Sequence, residues 1–294
     1  YQMTIPESQL QTWANRGAVI TAQQTHESIR KALNSYEGWS SSVKFDTYLQ
    51  GSYRNTTNIR GDSDVDLVAE LTSVYYSNLT GEEKEELGWE PATYSWSNFR
   101  SELINALNNY YGSQYVDTSG SKSVKLLPNN GRLKADVVVA ARYNHYENLK
   151  LRSEGMTFFS GVQQIINYPK VHYNNGTTKN SSYLTSELYK PTIRIFKNSR
   201  NRIIVSNQYL ENSIPSYFIE CLLYNVPNNC FNGSYQDVFS KTVNWLTENL
   251  EKNLSNDFVC QNEMFYLFGN SVVQWNKAHA KQFISKLIEL WNGW

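Results

Sequence analysis

Two aspartates separated by a single residue, Asp64 and Asp66, carry the chemistry that this sequence most clearly suggests. They fall in the run DVDLV, which predicts a strand, and residues two apart in a strand point to the same face at about 6.5 Å from each other. Hard divalent cations such as Mg²⁺ take oxygen ligands, and two-metal sites hold their ions about 3.5–4 Å apart. Two carboxylates placed side by side therefore predict a two-metal site.

A Gly-Ser pair, Gly51-Ser52, precedes these aspartates and ends an earlier predicted strand. Glycine permits a tight turn with free backbone N–H groups, and the serine adds a hydroxyl, which together suit an anionic phosphate. A DxD pair alone is a weak signal, because such pairs are common at solvated strand ends. The combination of Gly-Ser, eleven intervening residues and D-V-D-L is considerably more specific.

A third carboxylate, Asp136, is predicted on a neighbouring strand. The hairpin signal Asn130-Gly131 precedes the run RLKADVVVAARY, in which apolar residues alternate and Asp136 falls on the opposite face. A charge in so apolar a strand is costly to bury unless something pairs with it. The alternatives are a salt bridge, with Lys134 or Arg142 as the partner, and a metal ion. The nearby DxD pair favours the metal ion.

Hydrophobic spacing predicts a mixed α/β half followed by a helical half. Helices are predicted over residues 4–36 in two pieces, from residue 95, and over 184–200, 215–224, 235–254 and 275–291. Strands are predicted over 43–49, from 64, over 115–117 and 124–127, and around 136, with short strands or an extended arm at 156–159 and 162–168. Residues 79–91 predict a solvated short helix or loop, and residues 172–182 an irregular polar loop.

The composition restricts the classes of partner. The chain has 294 residues with 27 Lys and Arg against 27 Asp and Glu, so its formal net charge is zero. Proteins that hold duplex nucleic acid continuously usually show a basic excess, so stable nucleic-acid binding is not expected. No apolar run approaches the ~18 residues of a membrane span, and the polar N-terminus does not resemble a signal peptide. Three cysteines without CxxC spacing argue against zinc and a disulfide framework. We therefore expect a cytoplasmic protein without a membrane partner.

Two features of the helical half suggest contacts with an anion. Lys190, Arg194 and Lys197 share one helical face if the helix continues through its proline. They form either a solvated basic stripe or a cationic wall for a triphosphate. The pair Ser216-Tyr217 opens another helix, where a hydroxyl and free N–H groups favour a phosphate. Tyr217 is either a residue that stacks on a base or a core aromatic.

The motifs LQGSYRNTTNIRGDSDVDLV, the Asp136 strand, TIRIFKNSRN and PSYFIECLLYNVP together resemble the bacterial cGAS/DncV-like nucleotidyltransferases (CD-NTases) of the polymerase β-like superfamily. The resemblance is greatest to the CdnE clade and extends over nearly the whole chain. It implies an α+β fold in which a polymerase β-like nucleotidyltransferase lobe, a mixed sheet flanked by helices, packs on a C-terminal helical lobe. The catalytic lobe with its N-terminal helices would cover residues 1–170, and the helical nucleotide-binding lobe would cover residues 171–294.

The resemblance also implies roles for individual residues. Asp64, Asp66 and Asp136 would form the catalytic triad and bind two Mg²⁺ ions, with Mn²⁺ as a substitute. The implied nucleotide-binding residues include Gln50, Gly51 and Ser52, and Ser52 would contact the donor phosphates. Lys197 and Ser216 would hold the triphosphate, and Tyr217 would stack on the donor base. In some clade E enzymes an asparagine in the base pocket favours uracil. Asn167 is the best candidate for that residue here, with Asn174 and Asn175 as alternatives.

Members of this family join nucleoside triphosphates into a linear and then a cyclic di- or trinucleotide, which activates an antiviral effector encoded nearby. The resemblance implies the same reaction here, with UTP, ATP or both as substrates and release of pyrophosphate. Two alternatives remain open. A tRNA-terminal or poly(A) nucleotidyltransferase is disfavoured by the zero net charge, and an inactive nucleotide-binding module is disfavoured by the three intact carboxylates.

Overall fold

The computed structural model describes residues 4–17, 19–61, 64–129, 131–206 and 213–294. Its helices are, in chain order, α1 (Glu7–Ala14), α2 (Ile20–Asn34), α3 (Gly51–Asn55), α4 (Gly81–Glu86), α5 (Trp96–Tyr111), α6 (Pro169–Lys179), α7 (Ser182–Thr185), α8 (Tyr189–Ser206), α9 (Ser216–Tyr224), α10 (Tyr235–Leu250) and α11 (Lys277–Asn292). Its strands are β1 (Phe45–Leu49), β2 (Asp64–Ser77), β3 (Val116–Asp117), β4 (Val124–Leu126), β5 (Lys134–Glu147), β6 (Lys150–Ser160) and β7 (Gln163–Asn167).

The strands form one mixed sheet in the order β1-β2-β5-β4-β3, with β6 also paired to β5 and β7 paired to β6. Strands β2 and β5 are parallel, and the other pairs are antiparallel. Strand β5 is long enough to pair with β4 near its start and with β6 near its end. The predicted hairpin between β4 and the Asp136 strand is confirmed.

The chain forms two compact units. The sheet unit comprises Ala18–Arg54 and Ser63–Val171, and the helical unit comprises Tyr1–Gly17, Asn55–Asp62 and His172–Trp294. The last change of unit falls close to the boundary predicted at residue 170. The structure differs from that prediction in the first seventeen residues and in Asn55–Asp62, which belong to the helical unit and not to the sheet unit.

In the sheet unit, α2 and α5 cover one face of the sheet. Ile29 and Leu33 of α2 and Phe99 and Leu103 of α5 are all fully buried there. Helix α5 starts where its sequence predicts, because Ser95 Oγ accepts a hydrogen bond from the backbone N of Asn98 at 3.1 Å. The other face of β2 and β5 carries a smaller apolar cluster that includes Val68, Val138 and Ala140. The aspartates of interest lie on this second face.

The helical unit has a separate core, to which each of four helices contributes a buried phenylalanine. Phe196 of α8, Phe218 of α9, Phe239 of α10 and Phe283 of α11 are at most 2% exposed. Burial of each such side chain contributes about 1.5–3 kcal/mol to stability. Helix α1 joins the same core through Leu10. None of the helices in the described ranges is both long and apolar enough to cross a membrane.

The irregular loop predicted over residues 172–182 is wrong, since α6 and α7 occupy most of it. Helix α6 begins at Pro169, a first-turn position where proline is well tolerated. Its buried residues, His172, Gly176 and Lys179, follow helical spacing among otherwise polar neighbours. A Cβ on Gly176 would collide with the side chain of Gln261. Close packing therefore holds this glycine in a helix that its intrinsic propensity disfavours.

Lys179 is the most unusual member of this buried set. Its ammonium group donates to the carbonyl of Val226 at 2.8 Å and to Asn228 Oδ1 at 3.0 Å. The rings of Tyr189, Tyr224 and Phe231 surround it at 5.4–5.5 Å. Burial lowers the pKa of Lys179 to about 8.

This shift predicts a pH-dependent stability. Between pH 8 and the ordinary lysine pKa of 10.5, Lys179 binds more protons in the unfolded chain than in the folded chain. The free energy of unfolding therefore rises with pH across that window. The rise attributable to Lys179 is at most about 3.5 kcal/mol, because one pKa unit corresponds to about 1.4 kcal/mol. The free energy of unfolding can be measured by urea denaturation of wild type and of Lys179→Met at several pH values. The value for wild type should rise relative to that for Lys179→Met across this window. The exposed Lys252→Met should parallel wild type, and a Lys179→Met curve that also parallels it would contradict the expectation.

Candidate active site

The three predicted carboxylates lie on two adjacent parallel strands. Asp64 and Asp66 are on the same face of β2, separated by the fully buried Val65. The backbone register places Asp66 directly opposite Asp136 of β5 and Asp64 opposite Lys134. All four side chains are partly exposed. Neighbouring strands are about 4.8 Å apart, so the two aspartates of β2 and the one aspartate of β5 share one small region of the sheet face.

Each carboxylate has a polar neighbour in this arrangement. Lys134 Nζ donates to Asp64 Oδ2 at 2.6 Å, and Ser123 Oγ donates to Asp136 Oδ1 at 3.3 Å. The hydrogen bond to Asp64 raises the pKa of Lys134, and the charges of Asp136 and Asp66 add to that effect. The salt-bridge alternative for Asp136 is not what the structure shows, because Lys134 binds Asp64 and Arg142 binds Glu70.

The Gly-Ser pair begins α3 immediately beside Asp66. The backbone N of Gln50 donates to the carbonyl of Asp66 at 2.9 Å. Gly51 has a φ of +62°, in the left-handed region that glycine adopts without cost. A Cβ on Gly51 would collide with the Asp66 carboxylate. Glycine at this position therefore keeps the space beside that carboxylate open, and Ser52 follows it directly in the same helical turn.

The donor set fits hard divalent cations in its chemistry. Asp64, Asp66 and Asp136 supply only oxygen atoms, as Mg²⁺ and Mn²⁺ prefer. The missing side chain at Gly51 leaves room beside one of them. Among the residues that the structure describes, no three acidic, histidine or cysteine side chains already converge as metal ligands. Metal binding would compete with the hydrogen bonds that Asp64 and Asp136 accept from Lys134 and Ser123.

A second charged cluster lies farther along the same sheet face and anchors the segment that carries Asn167. The buried carboxylate of Glu70 accepts from Tyr48 at 2.6 Å and pairs with Arg142 at 3.0 Å and with Lys170 at 3.4 Å. Burial and the charge of Glu70 raise the pKa of Tyr48, so its phenol remains a donor. Asn167 is the last residue of β7, three positions before Lys170.

The asparagine alternatives lie elsewhere. Asn174 is exposed on α6, whereas Asn175 donates to the carbonyl of Gln261 at 2.9 Å within the helical unit. Asn167 is half-buried and opposite Met156 in the sheet unit. A cavity of about 190 Å³ in the same unit is lined by Tyr48, Leu49, Pro169, Lys170, Asp46 and Arg54, and Asn167 is not part of its lining.

The basic stripe of α8 is buried, so its interpretation as a solvated surface is wrong. Arg194 is 8% exposed and Lys197 is fully buried. Arg194 donates to the carbonyl of Thr56 at 2.6 Å, and Lys197 Nζ donates to the carbonyl of Thr57 at 2.9 Å. The helix runs through Pro191 because that residue lies in its first turn. The assignment of Lys197 to a triphosphate stays a prediction.

Ser216 and Tyr217 open α9 as predicted. Arg200 donates to Ser216 Oγ at 3.2 Å. Tyr217 as a whole residue is 37% exposed, and its ring stacks on His172, with ring centroids 4.7 Å apart, and on Trp275 at 5.5 Å. A partly exposed tyrosine within a stack of aromatic rings is compatible with both of its predicted roles.

Among the neighbours of these residues, the sequence singled out Lys134 as a salt-bridge partner for Asp136 but did not single out Ser123, His172 or Glu70. Lys134 has a local signal, since it precedes Asp136 by two positions and so shares its face. Ser123, His172 and Glu70 have none, because tertiary pairing alone brings them to their partners. A buried glutamate at position 70 was hidden by its place at the end of a strongly apolar run.

Comparison with known proteins identifies the family. A family model for the cGAS/DncV-like nucleotidyltransferase C-terminal helical domain matches residues 174–292. The chain is 46% identical to the cyclic UMP-AMP synthase of Rhodothermus marinus (strain SG0.5JP17-172) over 99% of both proteins. It is 37% identical to the cyclic nucleotide synthase CdnE01 of Staphylococcus haemolyticus over 99% of this chain and 100% of that protein. The structure of Rhodothermus marinus CdnE c-UMP-AMP synthase with Apcpp and Upnpp matches with a TM-score of 0.91 at 45% identity, covering 99% of this chain and 97% of that one.

The chain therefore belongs to the cGAS/DncV-like nucleotidyltransferases, and within that family to the CdnE clade, as its motifs predicted.

The contact between Gly51 and Asp66 can be tested with a matched pair of glycines. Gly51→Ala and Gly161→Ala both place a Cβ at a left-handed position, with φ of +62° and +60°. Each should lose about 1–2 kcal/mol of stability. Only Gly51→Ala should also lose about a hundredfold in nucleotide transfer, since it displaces the Asp66 carboxylate. Nothing lies within 4 Å of a Cβ at Gly161. Equal transfer rates in the two variants would contradict the placement of Gly51 in the active site.

Proposed function

We propose that the protein joins UTP and ATP into a cyclic UMP–AMP dinucleotide in a reaction that depends on two divalent cations. Membership of the family makes the chain a nucleotidyltransferase that synthesises a cyclic oligonucleotide second messenger. The observation that carries the catalytic assignment is the register that sets Asp66 opposite Asp136 with Gly51 against Asp66. The proposed product rests on the 46% identity to a cyclic UMP-AMP synthase.

Asp64, Asp66 and Asp136 would hold two Mg²⁺ ions, with Mn²⁺ as a substitute. When bound, these ions neutralise the triphosphate and lower the pKa of the attacking hydroxyl. The protein groups around them position the phosphates. The backbone N–H groups and hydroxyl at Gly51-Ser52 would donate to the donor phosphates, and Gln50 holds this turn against the Asp66 backbone.

In each transfer, a ribose hydroxyl oxygen attacks the α-phosphorus of a triphosphate in line with the leaving group. A new P–O bond forms, the bond to the β-phosphate oxygen breaks, and pyrophosphate leaves with the bonding electron pair. Alignment of the two reactants within one site accounts for much of the rate enhancement in such reactions. The first product is linear and retains one triphosphate, which becomes the donor when the intermediate turns over, so that the same three carboxylates serve both steps.

In the helical unit, Tyr217 would stack on the donor base, and Ser216 and Lys197 would contact the triphosphate. The partial exposure of Tyr217 supports the first role. The complete burial of Lys197 and its bond to Thr57 indicate that its contact with a phosphate would need a local rearrangement. Asn167 would read the uracil edge, since its amide offers both a donor and an acceptor to O4 and N3–H.

The cyclic product would activate an effector in a defence response to phage, as the family implies. An RNA-extending activity is disfavoured by the zero net charge and by the similarity to cyclic nucleotide synthases over 99% of the chain. We propose neither a membrane partner nor stable binding of nucleic acid.

Replacement of the carboxylates tests the catalytic assignment. Asp64→Asn, Asp66→Asn and Asp136→Asn should each abolish transfer from radiolabelled triphosphates with Mg²⁺, because a neutral amide cannot replace a metal-binding charge. Their melting temperatures without metal should stay within about 2–4 °C of wild type, the shift expected for 1 kcal/mol. The exposed Asp257→Asn should remain fully active. Near-normal turnover in any of the three variants would remove that residue from the site, and a collapse in melting temperature would indicate a structural role.

Omission of each nucleoside triphosphate in turn, with mass spectrometry of the product, tests the substrates. Cyclic UMP–AMP should form only when UTP and ATP are both present. Asn167→Ser should shift incorporation from uracil towards purines, since one amide–base pairing discriminates by about 1–3 kcal/mol. Asn174→Ser, which changes an exposed asparagine on α6, should leave the product unchanged. A purine-only product in wild type, or a retained uracil preference in Asn167→Ser, would contradict the role of Asn167 without affecting the carboxylates.

A further inference from the structure

Residues 55–59, in the segment between the Gly-Ser pair and the DxD pair, are largely buried, which is unusual for a connection between elements. These residues begin at Asn55, the last residue of α3, and precede Asp64 at the start of β2. Asn55 is 6% exposed, and Thr57, Asn58 and Ile59 are at most 1% exposed. Connections normally lie on the surface because their backbone groups require water or dedicated partners. This one belongs to the helical unit, which supplies those partners.

The backbone of this segment is held in a strained conformation. Thr56 has a φ of +59°, a region that β-branched residues rarely adopt and that costs of order 1–3 kcal/mol. Arg194 and Lys197 donate to the carbonyls of Thr56 and Thr57, and the backbone N of Gly17 donates to the carbonyl of Asn58 at 3.1 Å. Strain of this kind persists only where surrounding contacts enforce it, and it concentrates at functional sites.

The side chains of the segment converge on Glu220 of α9. This carboxylate is 3% exposed and accepts hydrogen bonds from Asn55 Nδ2 at 2.9 Å and from Thr57 Oγ1. Its third partner is His172 Nε2, at 2.9 Å. Burial opposes ionisation, but the bonds from His172 and Thr57 and the charge of Lys197 lower the pKa of Glu220 below its ordinary value. Glu220 is therefore a buried anion enclosed by donors.

His172 links this anion to the aromatic stack. Its ring is 2% exposed and lies on the ring of Tyr217 at 4.7 Å, with the planes inclined by 23°. Its backbone carbonyl accepts from Gln261 Nε2 at 2.7 Å, which fixes the ring's position on α6. One edge of the imidazole thus contacts Glu220, and one face supports Tyr217.

We propose that Glu220 and His172 are positioning residues that set two parts of the nucleotide site together: the strained segment 55–59 between the Gly-Ser and DxD pairs, and the ring of Tyr217. Neither residue touches the reacting atoms. The proposal rests on the proposed function, since it assigns Tyr217 to the base and the flanks of the segment to phosphates and metal ions.

Stability alone does not account for this arrangement. A buried ion cluster is often replaceable by apolar residues of similar volume without loss of stability, because desolvation offsets the attraction between the charges. Hydrogen bonds in the cluster are directional, whereas apolar packing is not. Three donors from the segment and from α6 aim at one carboxylate, and so they define the segment's conformation and the plane of the His172 ring at the same time.

Two substitutions at His172 separate its two contacts. His172→Gln retains an N–H donor for Glu220 but removes the ring beneath Tyr217. His172→Phe retains a ring but leaves Glu220 with one donor fewer. Thr57→Val removes a different donor from Glu220 without changing the size of the side chain. Thr242→Val is the matched control, because Thr242 is a buried threonine that bonds only to carbonyls within α10.

The variants are compared by steady-state kinetics of cyclic product formation and by amide hydrogen exchange without nucleotide. His172→Gln should raise the KM for the triphosphates about tenfold and leave kcat within about twofold, as expected for loss of uniform binding. His172→Phe and Thr57→Val should lower kcat about tenfold at nearly constant KM, as expected for loss of alignment. His172→Phe and Thr57→Val should also increase the rate of amide hydrogen exchange in residues 55–59. Thr242→Val should match wild type in every measurement.

The outcomes separate this proposal from the proposed function. Equal KM and kcat changes in His172→Gln and His172→Phe, or unchanged exchange in residues 55–59 of Thr57→Val, would overturn the positioning roles while wild type still makes its product. Absence of any cyclic product from wild type would instead overturn the proposed function. The exchange measurement would still report whether Glu220 holds the segment, since it needs no turnover.

Discussion

The parallel pairing of β2 with β5 is the constraint on which the rest of the site depends. Asp66 and Asp136 are 70 positions apart in the chain but opposite one another in the ladder. A slip of one residue in either strand would turn the aspartates of that strand into the apolar face beneath α2 and α5. The fully buried Val65 and Leu67 on one strand and Ala135 and Val137 on the other prevent that slip, because they would have to enter water. Apolar packing behind the sheet therefore determines where its charges lie.

Residues with a local pattern were predictable, and residues placed by distant contacts were not. The alternation around Asp64 and Asp136 predicted both strands, the Ser95 cap predicted the start of α5, and the motifs predicted the family. Helix α6 was missed because its polar composition gives almost no periodic signal; its buried positions are visible only from the packing of Gly176 against Gln261. The burial of Lys197 was also not predictable from the sequence, because a lysine on a helix is ordinarily exposed to solvent.

The zero net charge of the chain conceals how its charges are distributed. Lys197, Arg194 and Lys179 are buried in the helical unit, and each donates to backbone carbonyls. Such ions are costly to desolvate and are tolerated only where their partners are already in place. Buried cations of this kind make specific conformations of the carbonyl-bearing segments more favourable than their alternatives. A count of basic residues does not reveal this effect, whereas the hydrogen bonds of the buried cations do.

The path of the chain through its units also bears on how the protein can be made. The helical unit draws on three separate stretches, so it cannot be completed until residues near both ends of the chain are available. A ribosome releases Tyr1–Gly17 and Asn55–Asp62 long before His172–Trp294 emerges, and those early stretches must wait without their partners. Contacts of such long sequence separation slow folding, because loop closure must precede their gain. A fragment that begins at residue 172 would lack the carbonyls of Thr56 and Thr57, and so it would leave Arg194 and Lys197 without these acceptors.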